Sequence, residues 1–288
     1  MSRIDDQSER KKDWNADVSS LLKNIYRCAD KTTWYDSVAS AYDRTRPRYP
    51  QEILARMQEI AKLEPRKSVL EIGAGPGIVT IELAKLGAEM VSLEPSQAAW
   101  AIARAKCADY PNVEVINTTF EDWNLANKKF DVVVAATSFH WITPEARYIK
   151  TSTALKDNGL LVLLWNTPPQ PSWEMYQDLQ DIYQTHAPEL DKYEGHQEHQ
   201  ENIGKMAQGV IDSGYFQNQT SDRLVVTVHY TVEDYLTLLS TLSPYIGLRS
   251  AQRESLFSEL QQRFEQLLGE RQELDLSYLS LLQTVRKS

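Results

Sequence analysis

Cysteine is nearly absent from this chain: Cys28 and Cys107 are the only two in 288 residues, and neither lies in a CxxC or a Cys/His cluster. That excludes a disulfide framework and a structural zinc site, and fits a reducing compartment. No apolar stretch approaches the ~20 residues a membrane helix needs. The opening MSRIDDQSERKKD lacks the apolar core of a signal peptide. The expectation is a cytoplasmic protein without a membrane partner. A basic surplus is also missing: 31 Lys and Arg stand against 40 Asp and Glu, a formal charge of -9. Nucleic-acid binders display a basic stripe, so a nucleic-acid partner is not expected. With 42% hydrophobic and 25% charged residues, the composition is that of an ordinary globular chain. Its length accommodates one α/β domain with insertions or two small domains.

Residues 1–32 read as a polar arm, with Trp14, Leu21, Leu22 and Ile25 as its sizeable apolar anchors. From Thr33 the texture changes to WYDSVASAYDRTRPRYP, a helix ending before Pro47, and an amphipathic helix follows over Gln51–Leu63. Short apolar runs then alternate with helical ones. Strands are expected at Ser68–Ile72, Met90–Glu94, Val113–Thr118, Phe130–Ala136 and Gly159–Trp165, with helices near Ile78–Leu86, Gln97–Asp109 and Glu145–Lys156. This is the signature of a doubly wound parallel sheet, whose ligand site lies beyond the carboxyl ends of its strands. Pro168, Pro169 and Pro171 break the alternation. A polar helical stretch runs from Trp173 to about Ile211. A strand at Arg223–Tyr230, helices at Tyr235–Leu242 and Leu256–Leu268, and a last strand near Leu274–Leu282 complete the chain. The stripe Phe257, Leu260, Phe264 and Leu267 reads as core.

The most informative segment is VLEIGAGPG, Val69 to Gly77, which joins a buried strand to a helix through glycines at every second position. Glycine lets a ligand approach the backbone and supplies angles that other residues resist. The dinucleotide fingerprint GxGxxG would place its third glycine at position 78, where this chain has Ile78, and no Gly-Lys-Ser/Thr follows for a phosphate loop. Glu71, just before the glycines, would sit well near a ligand carrying a sulfonium and an amino group, and badly near a pyrophosphate. Glu94 closes the next strand, where a carboxylate can accept hydrogen bonds from both hydroxyls of a ribose.

With these residues the sequence resembles the class I S-adenosylmethionine-dependent methyltransferases, particularly the small-molecule branch that includes the trans-aconitate methyltransferases. The resemblance covers nearly everything after Thr33. It rests on VLEIGAGPG and VSLEPS, and on YDRTRPRYP, TTFEDWNL, FDVVVAATSFHW, NGLLVLLWN and LSTLSPYIGL in order. It implies a Rossmann-like seven-stranded sheet over residues 33–288, with helical lid insertions near 170–212 and 232–268. The cofactor implied is S-adenosylmethionine, with S-adenosylhomocysteine as product and a small molecule as acceptor.

Residue by residue, the resemblance implies that Gly73, Ala74, Gly75 and Gly77 face the amino-acid part of the cofactor. Glu94, followed by Pro95 and Ser96, would hold the ribose. Thr119, Phe120 and Glu121 would sit by the adenine and Thr137 by the methionyl end. Tyr35, Tyr42 and Arg46 would close over the ligand, Arg46 pairing with its carboxylate. His140 is the candidate catalytic residue: a base if the acceptor is a hydroxyl or amine, a pocket-shaping group if it is a carboxylate. No metal site is expected, although His196 and His199 could share a helix face. Asn166-Thr167-Pro168-Pro169 resembles the Asn/Asp-Pro-Pro-aromatic motif of nitrogen methyltransferases, but it follows the wrong strand: the fourth ends in Thr137-Ser138-Phe139-His140. A non-catalytic cofactor-binding module and an NAD(P)-dependent oxidoreductase are the competing readings.

Overall fold

The computed structural model describes residues 33 and 35–288, so the expected polar arm over 1–32, Cys28 and Trp34 lie outside the described residues. A short helical turn at Asp36–Val38 leads into α1 (Ala39–Thr45) and α2 (Gln51–Ala61). The alternating region follows as β1 (Ser68–Ile72), α3 (Thr80–Ala84), β2 (Glu89–Leu93), α4 (Gln97–Lys106), β3 (Val113–Ile116), β4 (Phe130–Ala136), α5 (Pro144–Ala154) and β5 (Leu155–Asn166). After it come α6 (Trp173–Gln177), α7 (Gln180–His186), α8 (His196–Asp212), β6 (Phe216–Tyr230), α9 (Val232–Ser240), α10 (Ser243–Ile246), α11 (Ser250–Leu268) and β7 (Leu274–Lys287).

The seven strands form one sheet in the order β3-β2-β1-β4-β5-β7-β6. β7 runs antiparallel to both of its neighbours, while β1 to β5 pair in parallel. The chain steps outward from β1 to β3 and then returns to build β4 and β5 on the other side. The switch point therefore lies between β1 and β4, where a crevice opens at the strands' carboxyl ends.

Burial on both faces explains the near-continuous apolar runs of the central strands. On one face Leu70, Val133, Leu161 and Leu163 pack with Val210 of α8 and Tyr148 of α5. On the other, Val69, Val132, Val134 and Val162 pack beneath Ile53, Leu54 and Met57 of α2 and Leu83 of α3. A third cluster forms a helical cap: Tyr176, Ile182 and Tyr183 meet Tyr235, Leu238 and Leu239 of α9 and Leu256, Leu260 and Phe264 of α11.

The helical stretch expected from Trp173 to Ile211 is three helices with different destinations. α6 and α7 join the cap, whereas α8 lies against the sheet through Ala207 and Val210. β6 begins at Phe216, seven residues before the expected Arg223, because Gln217 and Thr220–Asp222 pair with β7 around an irregularity at Asn218 and Gln219, although their side chains are polar. This edge strand has one neighbour and a solvated surface, so hydropathy gives no sign of its first half. Among the described residues no helix is long and apolar enough to cross a membrane, and no His/Cys/Asp/Glu group could hold a metal.

Candidate active site

The three glycines after β1 all have positive φ, at 71°, 56° and 82°, and they serve different contacts. A Cβ on Gly73 would lie 2.6 Å from Cβ of Ser138, so the loop is pressed against the chain leaving β4. A Cβ on Gly77 would meet Cα of Ala103 at 3.2 Å, so this glycine seats the loop on α4. Only Gly75 has open space where a side chain would be. It is the glycine that leaves its backbone accessible to a ligand.

Glu94 is 7% exposed, and its two carboxylate oxygens accept from the amides of Gly75 at 2.7 Å and Ser96 at 2.8 Å. Burial outweighs these two hydrogen bonds and lifts its pKa from 4.5 to about 7. A carboxylate offers about four lone-pair sites. The two left over match a vicinal diol, so this residue fits a ribose. Ser96 caps α4 by accepting from the Ala99 amide, and Asp36 accepts from both Ser96 Oγ and the Ala98 amide. The upstream segment is thereby pinned beside Glu94.

A cavity of about 490 Å³ spans the switch point, within the range of small-molecule sites. It gathers Tyr35, Tyr42 and Arg46 from the upstream segment, Gly73 and Gly75 from the loop, and Glu94, Pro95 and Ser96 after β2. Thr119, Phe120 and Glu121 after β3 join Thr137 and His140 after β4 in its wall. Ala74 lines an adjoining recess of about 50 Å³.

Two of the expected residues stand elsewhere. Gly77 makes the packing contact on α4 just described. Glu71, expected to face a cationic ligand, is 1% exposed and does not line the cavity. The β1–β2 register sets it opposite Ser92, whose hydroxyl donates to it at 2.9 Å, while Thr80 donates at 2.7 Å. Burial raises its pKa, favouring a neutral acid that braces the loop from beneath. One-residue spacing along the strand does not tell a side chain that faces the ligand from one that faces a helix.

After β3 the ring of Phe120 is buried in the core, which leaves its backbone on the cavity side. One oxygen of Glu121 accepts from the Thr143 amide at 2.8 Å. Lys150 clamps the turn by donating to the carbonyls of Glu121 and Trp123 at 2.8 and 2.6 Å. Asp122 also lines the cavity and holds Thr119 Oγ1 at 2.7 Å, a role the sequence reading missed.

Thr137 has φ 53°, a strained setting for a β-branched residue that costs about 1–3 kcal/mol. Its surroundings enforce it: Oγ1 meets Tyr49 OH at 2.8 Å and accepts from the Asn166 amide, and its own amide donates to Leu164 O at 2.7 Å. His140 lies between Trp141 and Trp165, with ring centres 5.1 and 5.6 Å away and ring planes tilted by 41° and 34°. Desolvation, reinforced by the nearby Arg147, depresses its pKa to about 4. It is a neutral imidazole at physiological pH.

The upstream segment and the cap share the roof. Tyr35 OH meets Ser243 Oγ at 2.8 Å, and Arg46 donates to the hydroxyl and the carbonyl of Thr241, both at 3.2 Å, with its guanidinium over the Tyr42 ring. Arg44 pairs with Asp234 and Arg48 with Asp43, so of this trio only Arg46 reaches the cavity. Leu242, Ser243 and Pro244 line it from the cap. They belong to LSTLSPYIGL, which lies within the lid insertion expected near 232–268. Asn166, set aside because its motif follows the fifth strand, also lines the cavity. β4 and β5 end side by side, so both face the same crevice.

Residues 69–159 match the family model of a methyltransferase domain. An uncharacterised methyltransferase of Mycobacterium tuberculosis is 30% identical over 138 residues, which is 48% of this chain and 54% of that protein. The match thus spans about half the length of that relative. Among solved structures, a protein of Anaeromyxobacter dehalogenans assigned as a type II methyltransferase superposes with a TM-score of 0.58 at 18% identity, covering 84% of this chain and 97% of its own. Phosphoethanolamine N-methyltransferase 2 of Haemonchus contortus, solved with S-adenosyl-L-methionine, gives 0.52 at 13% identity over 90% of this chain and 59% of its own. These likenesses at low identity speak for the fold, and the family match speaks for the loop and strands that build the crevice. Residues 69–159 thus match a methyltransferase domain, and the chain shares its fold with methyltransferases of known structure.

Proposed function

We propose that residues 33–288 act as one catalytic unit that transfers a methyl group from S-adenosylmethionine to a small-molecule acceptor. The observation that carries this reading is Glu94, a buried carboxylate at the end of β2 with acceptor capacity to spare, beside the open backbone of Gly75. Bound there, S-adenosylmethionine supplies an electrophilic methyl whose sulfonium is already an activated leaving group, so alignment and exclusion of water are what the protein must add. Glu94 would hold the ribose, and the segment from Thr119 to Glu121 would frame the adenine. Arg46 would pair with the methionyl carboxylate. Its bonds to Thr241 couple that contact to the roof of the cavity.

A carboxylate is the acceptor we propose, because it needs no base. Among the described residues the two candidates at the acceptor end are poorly matched to neutral pH: burial pushes His140 down to about 4 and the Tyr35 phenol up to about 12. On this reading His140 and Trp141 shape the pocket. The cap residues Leu242 to Pro244 and Pro168 close an apolar side that would keep the acceptor dry.

The test is isothermal titration of the purified protein with S-adenosylmethionine and separately with NADH, repeated on Glu94→Ala. Selective binding of S-adenosylmethionine, weakened at least about tenfold (~1.4 kcal/mol) in the variant, is expected. Preference for NADH, or no binding by folded protein, would sink the assignment. Formation of S-adenosylhomocysteine across a panel of small carboxylic acids then separates an enzyme from a module that binds without turnover.

A further inference from the structure

Asn166 ends β5 with 8% exposure and lines both the cavity and the smaller recess between the glycine loop and the Tyr42–Tyr49 segment. Its side-chain NH2 donates to the carbonyls of Pro47 at 3.2 Å and Arg48 at 3.4 Å. Carbonyl oxygens only accept, so these contacts fix which way the amide is turned: nitrogen toward the upstream chain, oxygen on the opposite edge. That oxygen is buried and has no hydrogen-bond partner among the described residues. Buried acceptors are nearly always satisfied, and one held in a fixed orientation at a ligand recess calls for a donor from outside the chain.

The other polar groups of the recess narrow the donor's chemistry. Tyr49 OH and Thr137 Oγ1 satisfy each other at 2.8 Å. Arg46 is the one charged side chain in the recess lining. One cation and one orphaned acceptor, flanking an exposed backbone loop, are the complement of an α-amino acid, with its one carboxylate and one ammonium.

We propose that Asn166 Oδ1 receives the α-ammonium of the methionyl end of S-adenosylmethionine, while Arg46 takes the carboxylate. The inference rests on the cofactor assigned above and adds a ligand-binding residue outside the segment matched by the family model, which stops at residue 159. It also gives the Pro47–Arg48 backbone a function, since those carbonyls fix the orientation of the amide.

The experiment compares S-adenosylhomocysteine with its deamino analogue, in which hydrogen replaces the α-amino group, by calorimetric titration of wild-type protein and Asn166→Ala. Wild type is expected to prefer the amino compound by about tenfold, the value of a hydrogen bond to a charged donor. In Asn166→Ala that preference should shrink to about twofold or less while affinity for the deamino analogue stays within about twofold of wild type. Equal losses for both ligands would mean that Asn166 acts only by seating the segment that carries Arg46, and would overturn the proposal. So would a variant that keeps the wild-type preference, or a wild type that shows none. If Asn166→Ala does not fold, Asn166→Asp retains an acceptor and adds charge. It should raise the preference for the ammonium, and an unchanged preference counts against the assignment. Wild-type protein that is folded yet binds neither S-adenosylmethionine nor S-adenosylhomocysteine would refute the cofactor reading itself, an outcome distinct from loss of selectivity alone. An effect of Asn166→Ala on the KM of the acceptor, with cofactor selectivity intact, would assign the oxygen to the acceptor and overturn the proposal.

Discussion

The two sides of the cavity are built on different principles. On the side of the glycine loop, backbone does most of the work: three left-handed glycines, the amides of Gly75 and Ser96, and the carbonyls held by Lys150. On the cap side, side chains meet side chains: Tyr35 with Ser243, Arg46 with Thr241, and Leu242 and Pro244 facing inward. The family match covers residues 69–159 and stops short of both roof segments. Backbone geometry tolerates few sequences, so that side is held in common with relatives. Side-chain walls can be exchanged at small cost, so on the proposed function specificity would reside in them.

Gly73→Ala should produce the largest effect. The new methyl would meet Ser138 at 2.6 Å on a backbone with φ 71°. Overpacking and left-handed strain together cost about 2–5 kcal/mol. Thermal unfolding should show a clear loss of stability, and a variant as stable as wild type would break the claim that this loop is sterically fixed.

The ionisation of Glu94 tests the same side through pH. Ionised Glu94 presents more acceptors to a diol than the acid does, so cofactor affinity should rise as pH increases through about 7 and then level off. Its contribution to the stability of the ligand-free fold has the opposite sign. A carboxyl raised above 4.5 stabilises the fold while protonated, a contribution complete below that value and lost as pH rises through about 7. Titrations in buffers of different ionisation enthalpy near pH 6.5 should report proton release on binding. None, together with a flat affinity between pH 6 and 8, would contradict the role of Glu94.

Leu242→Ala should sharpen the comparison from the cap side. Losing apolar contact of about 1–2 kcal/mol raises the acceptor KM by roughly 5- to 30-fold, with cofactor affinity almost unchanged. Equal losses in both would show that the sides are not separable. The smallest effect expected is that of His140→Ala, which should change acceptor KM and leave the pH profile of kcat without a lost limb. Disappearance of an alkaline or acidic limb in that variant would make His140 a proton carrier.

How far each element was legible follows from the range of the forces that form it. Strands β1 and β4 appear in the sequence with their observed ends because they are buried on both faces and written as largely apolar runs, interrupted only by Glu71 and Asp131 within them. The first half of β6 is hidden, since its polar residues take their structure from pairing with β7, some sixty residues away in sequence. Glu94 and Gly75 were legible as cavity residues because a charge or a glycine at a strand end has few other reasons to be there, whereas Arg46, at the end of α1, was read only through the resemblance. Glu71 could not be placed, because register alone turned it toward Ser92 and Thr80.

By itself the sequence determined the doubly wound order of elements and the loop that presents backbone to a ligand, since periodicity and glycine spacing are properties of neighbouring residues. Only the tertiary structure decided that the ends of β4 and β5 share one crevice, that Leu242 to Pro244 roof it, and that Asn166 lines it with one oxygen unpartnered among the described residues. Those facts depend on strand adjacency and on contacts across more than a hundred residues, which no local pattern encodes.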